Sequence, residues 1–192
     1  YVVERRLRAR LESNELSDFA AYERLLCGPD GARELDLAID ALVTNETYFF
    51  REAYQLNAFE KELLPRIYAK NEHTKRLSIW SAGCSTGEEV YSLAMIVKSL
   101  SQFDDWDVRV FGSDISRRVI RHARRGIYGE SSFRAMQSRF DHFFRQAPGG
   151  REVIPEVREI CHFARVNLVR PEQTAVIGTV DAVFCRNVLI YF

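Results

Sequence analysis

Ser78-Ile79-Trp80-Ser81-Ala82-Gly83-Cys84-Ser85-Thr86-Gly87-Glu88-Glu89 is the stretch that decides how this chain is read. An apolar, strand-like run meets a turn with glycines at Gly83 and Gly87, and a helical pattern from Glu88 to Leu100 follows at once. Strand, close backbone turn and helix N-terminus in that order are the layout of a nucleotide-type cofactor loop. The spacing departs from the dinucleotide pattern, because Ser85 stands where the middle glycine would be. Two acids at the helix start would repel a phosphate, which wants bare N–H groups there. They suit a ligand that carries a cationic amine. A tight strand-to-helix turn also accounts for the loop taken alone, so its neighbours decide.

Downstream of Arg76 the texture alternates between strand and helix, the mark of an α/β sheet. Strands are expected at about 77–82, 108–113, 160–166 and 182–185, with a helix at Arg117–Arg125. The gap between the second and third strands is longer than a crossover helix needs. Its glycines and Pro148 point to an inserted subdomain with short strands around 152–157. Ligands of such sheets sit beyond the carboxyl ends of the strands. Asp114 ends the second strand and is placed to accept both hydroxyls of a ribose; as a helix cap it would look the same. Asn167 and Leu168 end the third, offering an amide for an adenine edge and an apolar face, or merely a turn. Arg186 and Asn187 end the fourth and bring donors to the crevice, or a surface ion pair. Four compatible strand ends in order are more specific than any one.

The first 70 residues read as helical. Val3, Leu7 and Leu11 form one apolar stripe at i, i+4 spacing, and Arg5, Arg6, Arg8 and Arg10 fill the rest of that helix. Ser17 is the expected N-cap of a second helix that stops near Gly28-Pro29. A third helix is expected from Ala32 to Leu42 with Leu35, Ile39 and Leu42 inward. Another is expected from Tyr48, split by Pro65. Asn71 to Lys75 is polar and reads as a linker. Thr44-Asn45-Glu46-Thr47-Tyr48-Phe49-Phe50-Arg51-Glu52 is a second cluster, with paired aromatics beside a polar start and an arginine; a capped helix start would explain it equally well.

The bulk numbers narrow the classes. The chain's 192 residues can hold one large domain or two small ones. At 46% hydrophobic and 28% charged it has an ordinary globular composition. A formal net charge of +0 supplies no field for nucleic acid or anionic membrane. The four cysteines, Cys27, Cys84, Cys161 and Cys185, lack zinc-ligand spacing and read as reduced thiols, so no metal site is expected. No signal peptide or membrane-length apolar run is present. The chain starts at Tyr1 and stops at Phe192 just after the fourth strand, where an open sheet would expose an apolar edge. The expectation is the front part of a longer catalytic domain.

Taken together, the Thr44–Glu52 cluster, the loop from Trp80 to Ser92, Ser113-Asp114-Ile115, the Arg124–Tyr128 run and the end Phe184-Cys185-Arg186-Asn187-Val188-Leu189-Ile190-Tyr191-Phe192 closely resemble the CheR family of chemotaxis protein-glutamate O-methyltransferases. The resemblance covers essentially the whole chain. It implies an N-terminal all-helical domain at 1–70. A class I S-adenosylmethionine-dependent methyltransferase domain of Rossmann-like α/β fold would follow at 71–192, with an inserted β-subdomain at about 127–158 and the C-terminal strands missing. It implies S-adenosylmethionine as cofactor, S-adenosylhomocysteine as product, and chemoreceptor glutamates as acceptors. Carried over by position, Asn45, Thr47, Arg51, Gly83, Glu88, Glu89, Asp114, Asn167, Leu168, Arg186 and Asn187 would line the cofactor site. Glu89 is favoured over Glu88 for the cofactor's amino group, and Tyr191 would lie near the reacting methyl.

An acceptor glutamate, with a reference pKa near ~4.3, is already ionised at neutral pH, so no general base is required. His73, His122, His142 and His162 are isolated in sequence, in keeping with that. In-line displacement then depends on positioning, worth roughly 7–11 kcal/mol, with Arg51 and Tyr191 as the positioning residues. The resemblance implies a cytoplasmic, monomeric protein whose partner is the cytoplasmic methylation region of chemoreceptors, with no nucleic acid and no membrane insertion. Arg5, Arg6, Arg8 and Arg10 would steer that encounter, and the inserted strands would offer an edge to a receptor peptide. Two other readings stand beside it: a methyltransferase acting on RNA or a small molecule, and a non-catalytic S-adenosylmethionine-binding signalling module.

Overall fold

A computed structural model of the chain describes residues 2–191, with the Tyr191 side chain outside the described residues. Helices α1 (Val2–Ser13), α2 (Phe19–Cys27) and α3 (Ala32–Leu42) pack around Leu7, Leu11, Tyr22 and Ala38. The α3 stripe is shifted from the expected one. Leu35 is 43% exposed, whereas Glu34 is only 8% exposed. The anchor is a charge network rather than a leucine row. Glu34 accepts two bonds from Arg10 (2.9 and 2.6 Å) and one from the Tyr22 hydroxyl (2.7 Å). The cap of α2 is Asp18, which accepts from the Ala21 N–H at 2.8 Å, in place of Ser17. Arg6 bonds the Leu42 carbonyl and the Thr44 hydroxyl. The expected four-arginine steering face is therefore reduced to Arg5 and Arg8, which are exposed.

Helix does not begin at Tyr48. Phe50 and Glu52 have φ of 57° and 54°, which no right-handed helix accepts. The helical rod starts instead at Ala53, as α4 (Ala53–Ala58), a wide π turn (Phe59–Leu63) and α5 (Leu64–Asn71). Pro65 sits in the first turn of α5, where a missing N–H is tolerated, so it does not interrupt the rod. Leu56, Phe59, Leu64 and Ile67 are buried in the same core as the sheet. The change of core thus falls between Leu42 and Phe49 rather than near residue 70.

The sheet follows from β1 (Arg76–Ala82), whose residues alternate toward buried faces. Next come α6 (Glu88–Lys98), β2 (Asp107–Asp114) and α7 (Arg117–Arg125). The insertion folds β3 (Ile127–Tyr128), β4 (Phe144–Ala147) and β5 (Gly150–Val153) into an antiparallel sheet of order β3-β5-β4. Its second half is the short helix α8 (Pro155–Arg158), where strand was expected to run on to 157; Pro155 opens that helix. Then come β6 (Cys161–Arg165), α9 (Pro171–Thr174) and β7 (Ala182–Phe184). The main sheet is parallel with order β6-β2-β1-β7. Strand order reverses at β1, so the crevice lies where β1 and β7 end. Helix α6 is buried from Val90 to Val97, sandwiched between sheet and insertion. The α1–α3 bundle docks on the same edge: Asp36 pairs with Arg117 (2.9 Å) and Arg165 (2.6 Å), and Asp40 accepts from the Ser116 hydroxyl.

Candidate functional site

At the carboxyl edge of the parallel sheet lies a cavity of about 330 Å³. Its floor is the β1–α6 loop. Gly83 and Gly87 take φ of 78° and 96°, and a Cβ on Gly83 would lie 2.2 Å from Val188 Cγ2. That close approach requires glycine; it packs the loop after β1 against the segment after β7. The Gly83 and Cys84 N–H groups both donate to the Ser113 carbonyl at 2.8 Å. Ser85 donates its N–H to Asp114 Oδ2 at 2.9 Å, and Ser116 donates to Asp114 Oδ1 at 3.0 Å.

The two glutamates after Gly87 part company. Glu89 lines the cavity; its Oε1 accepts from Ser81 (2.7 Å) and its Oε2 lies 3.1 Å from Arg186 Nη1. Burial raises the pKa of Glu89, and Arg186 opposes that rise. Glu88, at 2% exposure, turns away. It accepts from Thr86 (2.6 Å) and from Ser132 of the insertion (2.9 Å), and it does not line the cavity. Successive residues of a helix point about 100° apart, so only one of an adjacent pair faces the crevice. Its part is to fasten the insertion to the loop. Asp114 lines the cavity, with its carboxyl pushed above the ordinary range by burial and partly restored by its backbone N–H donors.

The wall opposite the sheet is the segment Val43–Tyr48, which has neither helix nor strand. Asn45, Thr47 and Arg51 line the cavity from it. The segment is pinned where it ends: the Phe49 N–H donates to the Ser132 carbonyl (2.9 Å) and the Phe50 N–H to Ser92 Oγ (3.0 Å). Arg134 lies 3.8 Å over the Tyr48 ring and 3.2 Å from Glu46, holding it from outside. Arg51 donates to the Glu46 carbonyl at 2.6 Å. Asn167, Leu168, Arg186 and Asn187 complete the lining. Each sequence-derived site residue therefore meets at one cavity, apart from Glu88 and Tyr191, whose side chain lies outside the described residues.

Sequence reasoning passed over Ile115, Val166 and Val188, which supply apolar wall. The first two are direct neighbours of Asp114 and Asn167, so the strand ends carried a signal for them. Val188 is recognisable only from its packing against Gly83. Ser81 and Ser92 were also missed, because their roles are to hold Glu89 and the segment from Val43 to Arg51, the lid of the cavity.

The residues fit a small amphipathic cation with a ribose and a base. The volume is within the usual range for such sites, roughly 300–1,000 Å³. The lining presents one acid, Glu89, in the first turn of α6, a second, Asp114, at the end of β2, and an amide and a leucine, Asn167 and Leu168, after β6. Among the described residues, Ser85 Oγ and Arg186 Nε are buried without a hydrogen-bond partner, polar groups that a polar ligand would satisfy.

Comparison with known proteins agrees. Residues 45–192 match the family model described as CheR methyltransferase, SAM binding domain. The chain is 33% identical over 195 residues to chemotaxis protein methyltransferase 2 of Vibrio cholerae, covering 100% of this chain and 67% of that protein. It is 36% identical over 200 residues to the chemotaxis protein methyltransferase of Escherichia coli, covering 100% and 66%. Against chemotaxis protein methyltransferase 2 of Pseudomonas aeruginosa it is 37% identical over 194 residues, covering 97% and 66%. The chain thus spans about two thirds of the length of these relatives. It belongs to the CheR methyltransferase family, with S-adenosylmethionine as the cofactor of its sheet domain.

Proposed function

We propose that the chain transfers a methyl group from S-adenosylmethionine to glutamate carboxylates in the cytoplasmic methylation region of chemoreceptors, giving glutamate methyl esters. The observation that carries this reading is the single cavity in which the lid residues, Glu89, Asp114, Asn167 and Arg186 converge. The relatives' description as chemotaxis protein methyltransferases supports the process. When bound, the cofactor supplies an electrophilic methyl group on a sulfonium. Glu89 would hold its ammonium. Asp114, whose two oxygens each accept a backbone N–H, would take the ribose hydroxyls on its remaining lone pairs. Leu168 and Ile115 would flank the base.

The acceptor carboxylate arrives ionised, and no histidine lines the cavity. The chain's contribution is therefore orientation and exclusion of water. Arg51 is tied to the Glu46 carbonyl, which keeps it at the cavity wall and limits ground-state clamping of a nucleophile that loses charge as it reacts. The reading carries with it a monomeric protein that acts in the cytoplasm, where the receptor's methylation region lies.

The test is methyl transfer from labelled S-adenosylmethionine to receptor cytoplasmic fragments, read as base-labile methanol, with bulk RNA as the control acceptor. Label on receptor glutamates is expected, and Arg51→Ala should lower its rate at least tenfold. Label on RNA alone, cofactor binding without any ester, or near-normal methylation by Arg51→Ala would overturn the reading.

A further inference from the structure

Arg186 is shared between two carboxylates. Its Nη1 lies 3.1 Å from Glu89 Oε2, while its Nη2 donates to the Arg51 carbonyl at 2.6 Å and lies 3.4 Å from Glu52 Oε2. With a side chain only 9% exposed, the guanidinium is nearly dry. Glu52 does not line the cavity. Its other oxygen reaches Asn187 Nδ2 at 3.5 Å. Glu52 and Asn187 face each other across this contact with φ of 54° and 56°. Two side-chain-bearing residues held in the left-handed region at one spot mark a backbone that the surroundings impose, a pattern concentrated at functional sites.

The charges explain why such an arrangement is useful. Arg51 also lines the cavity and its charge reaches Glu89, so Glu89 with Arg186 and Arg51 alone carries one net positive charge, which repels a cation. Adding Glu52 brings this cluster to neutrality. S-adenosylmethionine carries a sulfonium, an ammonium and a carboxylate, so its net charge is positive. Its demethylated product keeps the ammonium and carboxylate, has lost the sulfonium, and is neutral overall.

We propose that Glu52 is a positioning residue that sets cofactor specificity: by sharing Arg186 with Glu89 it offsets the second arginine and keeps the amine end of the cavity from being net positive, which favours the cationic S-adenosylmethionine relative to its neutral product. The inference rests on the cofactor assignment and is independent of the methyl acceptor. Burial is the main cause of the raised Glu89 pKa, and the charge of Glu52 adds to it, so the two carboxylates are in electrical contact. One unit charge acting across a partly dry cavity changes the relative affinity of a cation and a neutral analogue by about tenfold.

The experiment is calorimetric titration of the full chain with S-adenosylmethionine and with S-adenosylhomocysteine. In Glu52→Gln, which keeps size and hydrogen bonding but not charge, affinity for the cation should fall about tenfold more than affinity for the product. Glu52→Asp keeps the charge and should hold the wild-type ratio within about twofold. Glu52→Gly removes the charge from a position where glycine is the least strained residue, so it folds even if the glutamine variant does not; its ratio should shift as in Glu52→Gln. Equal losses for both ligands, an unchanged ratio in the two uncharged variants, or an equal shift in Glu52→Asp would overturn the proposal. A wild-type chain that binds neither ligand would instead refute the cofactor assignment.

Discussion

Phe49→Ala should remove about 4 kcal/mol of folding stability and loosen the cofactor site, although Phe49 does not line the cavity. Its ring is fully buried, with centroids 4.9 Å from Tyr128, 5.0 Å from Phe144 and 5.2 Å from Phe133. Core Phe→Ala changes cost ~3–5 kcal/mol. The upper half of that range is expected here, because each aromatic pair adds about 0.5–1.5 kcal/mol beyond area burial. Collapse of the hole is also restrained, since the Phe49 N–H is bonded to the Ser132 carbonyl at 2.9 Å. Phe49→Leu keeps most of the apolar volume and should cost only about 1–2 kcal/mol. The functional part follows from the lid. Residues 43–48 have no ladder or helix of their own, so the Phe49 anchor fixes Asn45 and Thr47 in place. Urea unfolding followed by circular dichroism, with and without saturating S-adenosylmethionine, reads both effects, since ligand adds stability in proportion to ln(1 + [L]/Kd). Cofactor affinity should fall about tenfold in Phe49→Ala, a lid-ordering cost of ~1.4 kcal/mol. A stability loss under about 1.5 kcal/mol would refute the packing argument, and a full loss with unchanged affinity would refute the role of the anchor.

Two further outcomes depend on pH. The Arg10 hydrogen bonds hold the Glu34 carboxyl below its ordinary value of 4.5, against the opposing effect of burial. That stabilisation is complete above the unfolded value and disappears as pH falls through the folded one, so the α1–α3 bundle should weaken on acidification below about pH 4.5. Glu34→Gln should flatten this dependence and cost about 1–2 kcal/mol at neutral pH, as read from thermal melts across pH; an unchanged acid profile would refute it. At the cavity the sign is opposite. Burial raises Glu89, so the ligand-free fold gains relative stability as pH falls through the raised value. An ammonium ligand needs the ionised form, so its log affinity should fall with acidification by up to ~1 per pH unit for that group. Calorimetry from about pH 8 to pH 5 measures this slope, and Glu89→Gln should bind weakly with a shallower slope; the same slope in both proteins would refute the assignment.

The sheet domain was largely legible in the sequence because its signals are local. Gly83 and Gly87 serve backbone positions that glycine favours, and the residues ending each strand fall at one edge by register: Ala82 lies opposite Ser113, and Asp114 opposite Arg165. What escaped depends on contacts between distant residues. In α3 the pattern pointed to Leu35, but burial follows Glu34, because Arg10 and Tyr22, both far away in the chain, stabilise its charge. Tyr48–Phe50 looks like a helix start by composition. It turns instead, with Phe50 left-handed, because Phe49 is drawn into the insertion's aromatic cluster and Phe50 stacks on Phe140 at 4.2 Å. Glu88 and Glu89 could not be ranked by composition either. The choice between them was made by Ser132 and Arg186, which approach from opposite sides.

These long-range contacts also account for how the site sustains its strain. Glu15, Phe50, Glu52, Lys75, Ser85 and Asn187 have positive φ without being glycine. Ser85 and Asn187 line the cavity, while Phe50 and Glu52 flank Arg51, which does. Each such position costs on the order of 1 kcal/mol or more, so the cavity's rim is unfavourable as isolated backbone. Phe50 shows what offsets the cost: its ring is 3% exposed and its N–H is taken by Ser92, itself bonded to the Glu88 carbonyl at 2.7 Å. A buried phenylalanine contributes roughly 1.5–3 kcal/mol, enough to hold one left-handed residue and leave a margin. Glu52 and Asn187 are not buried as Phe50 is, and among the described residues their side chains are tied to each other and, for Glu52, to Arg186. The lid is therefore firmly anchored at Phe49 and Phe50 and more weakly held at Glu52. Rearrangement on ligand binding should be concentrated at Glu52 and Asn187, where backbone amide exchange should be faster than at Phe49 and Phe50 in the ligand-free chain and should slow most when S-adenosylmethionine binds.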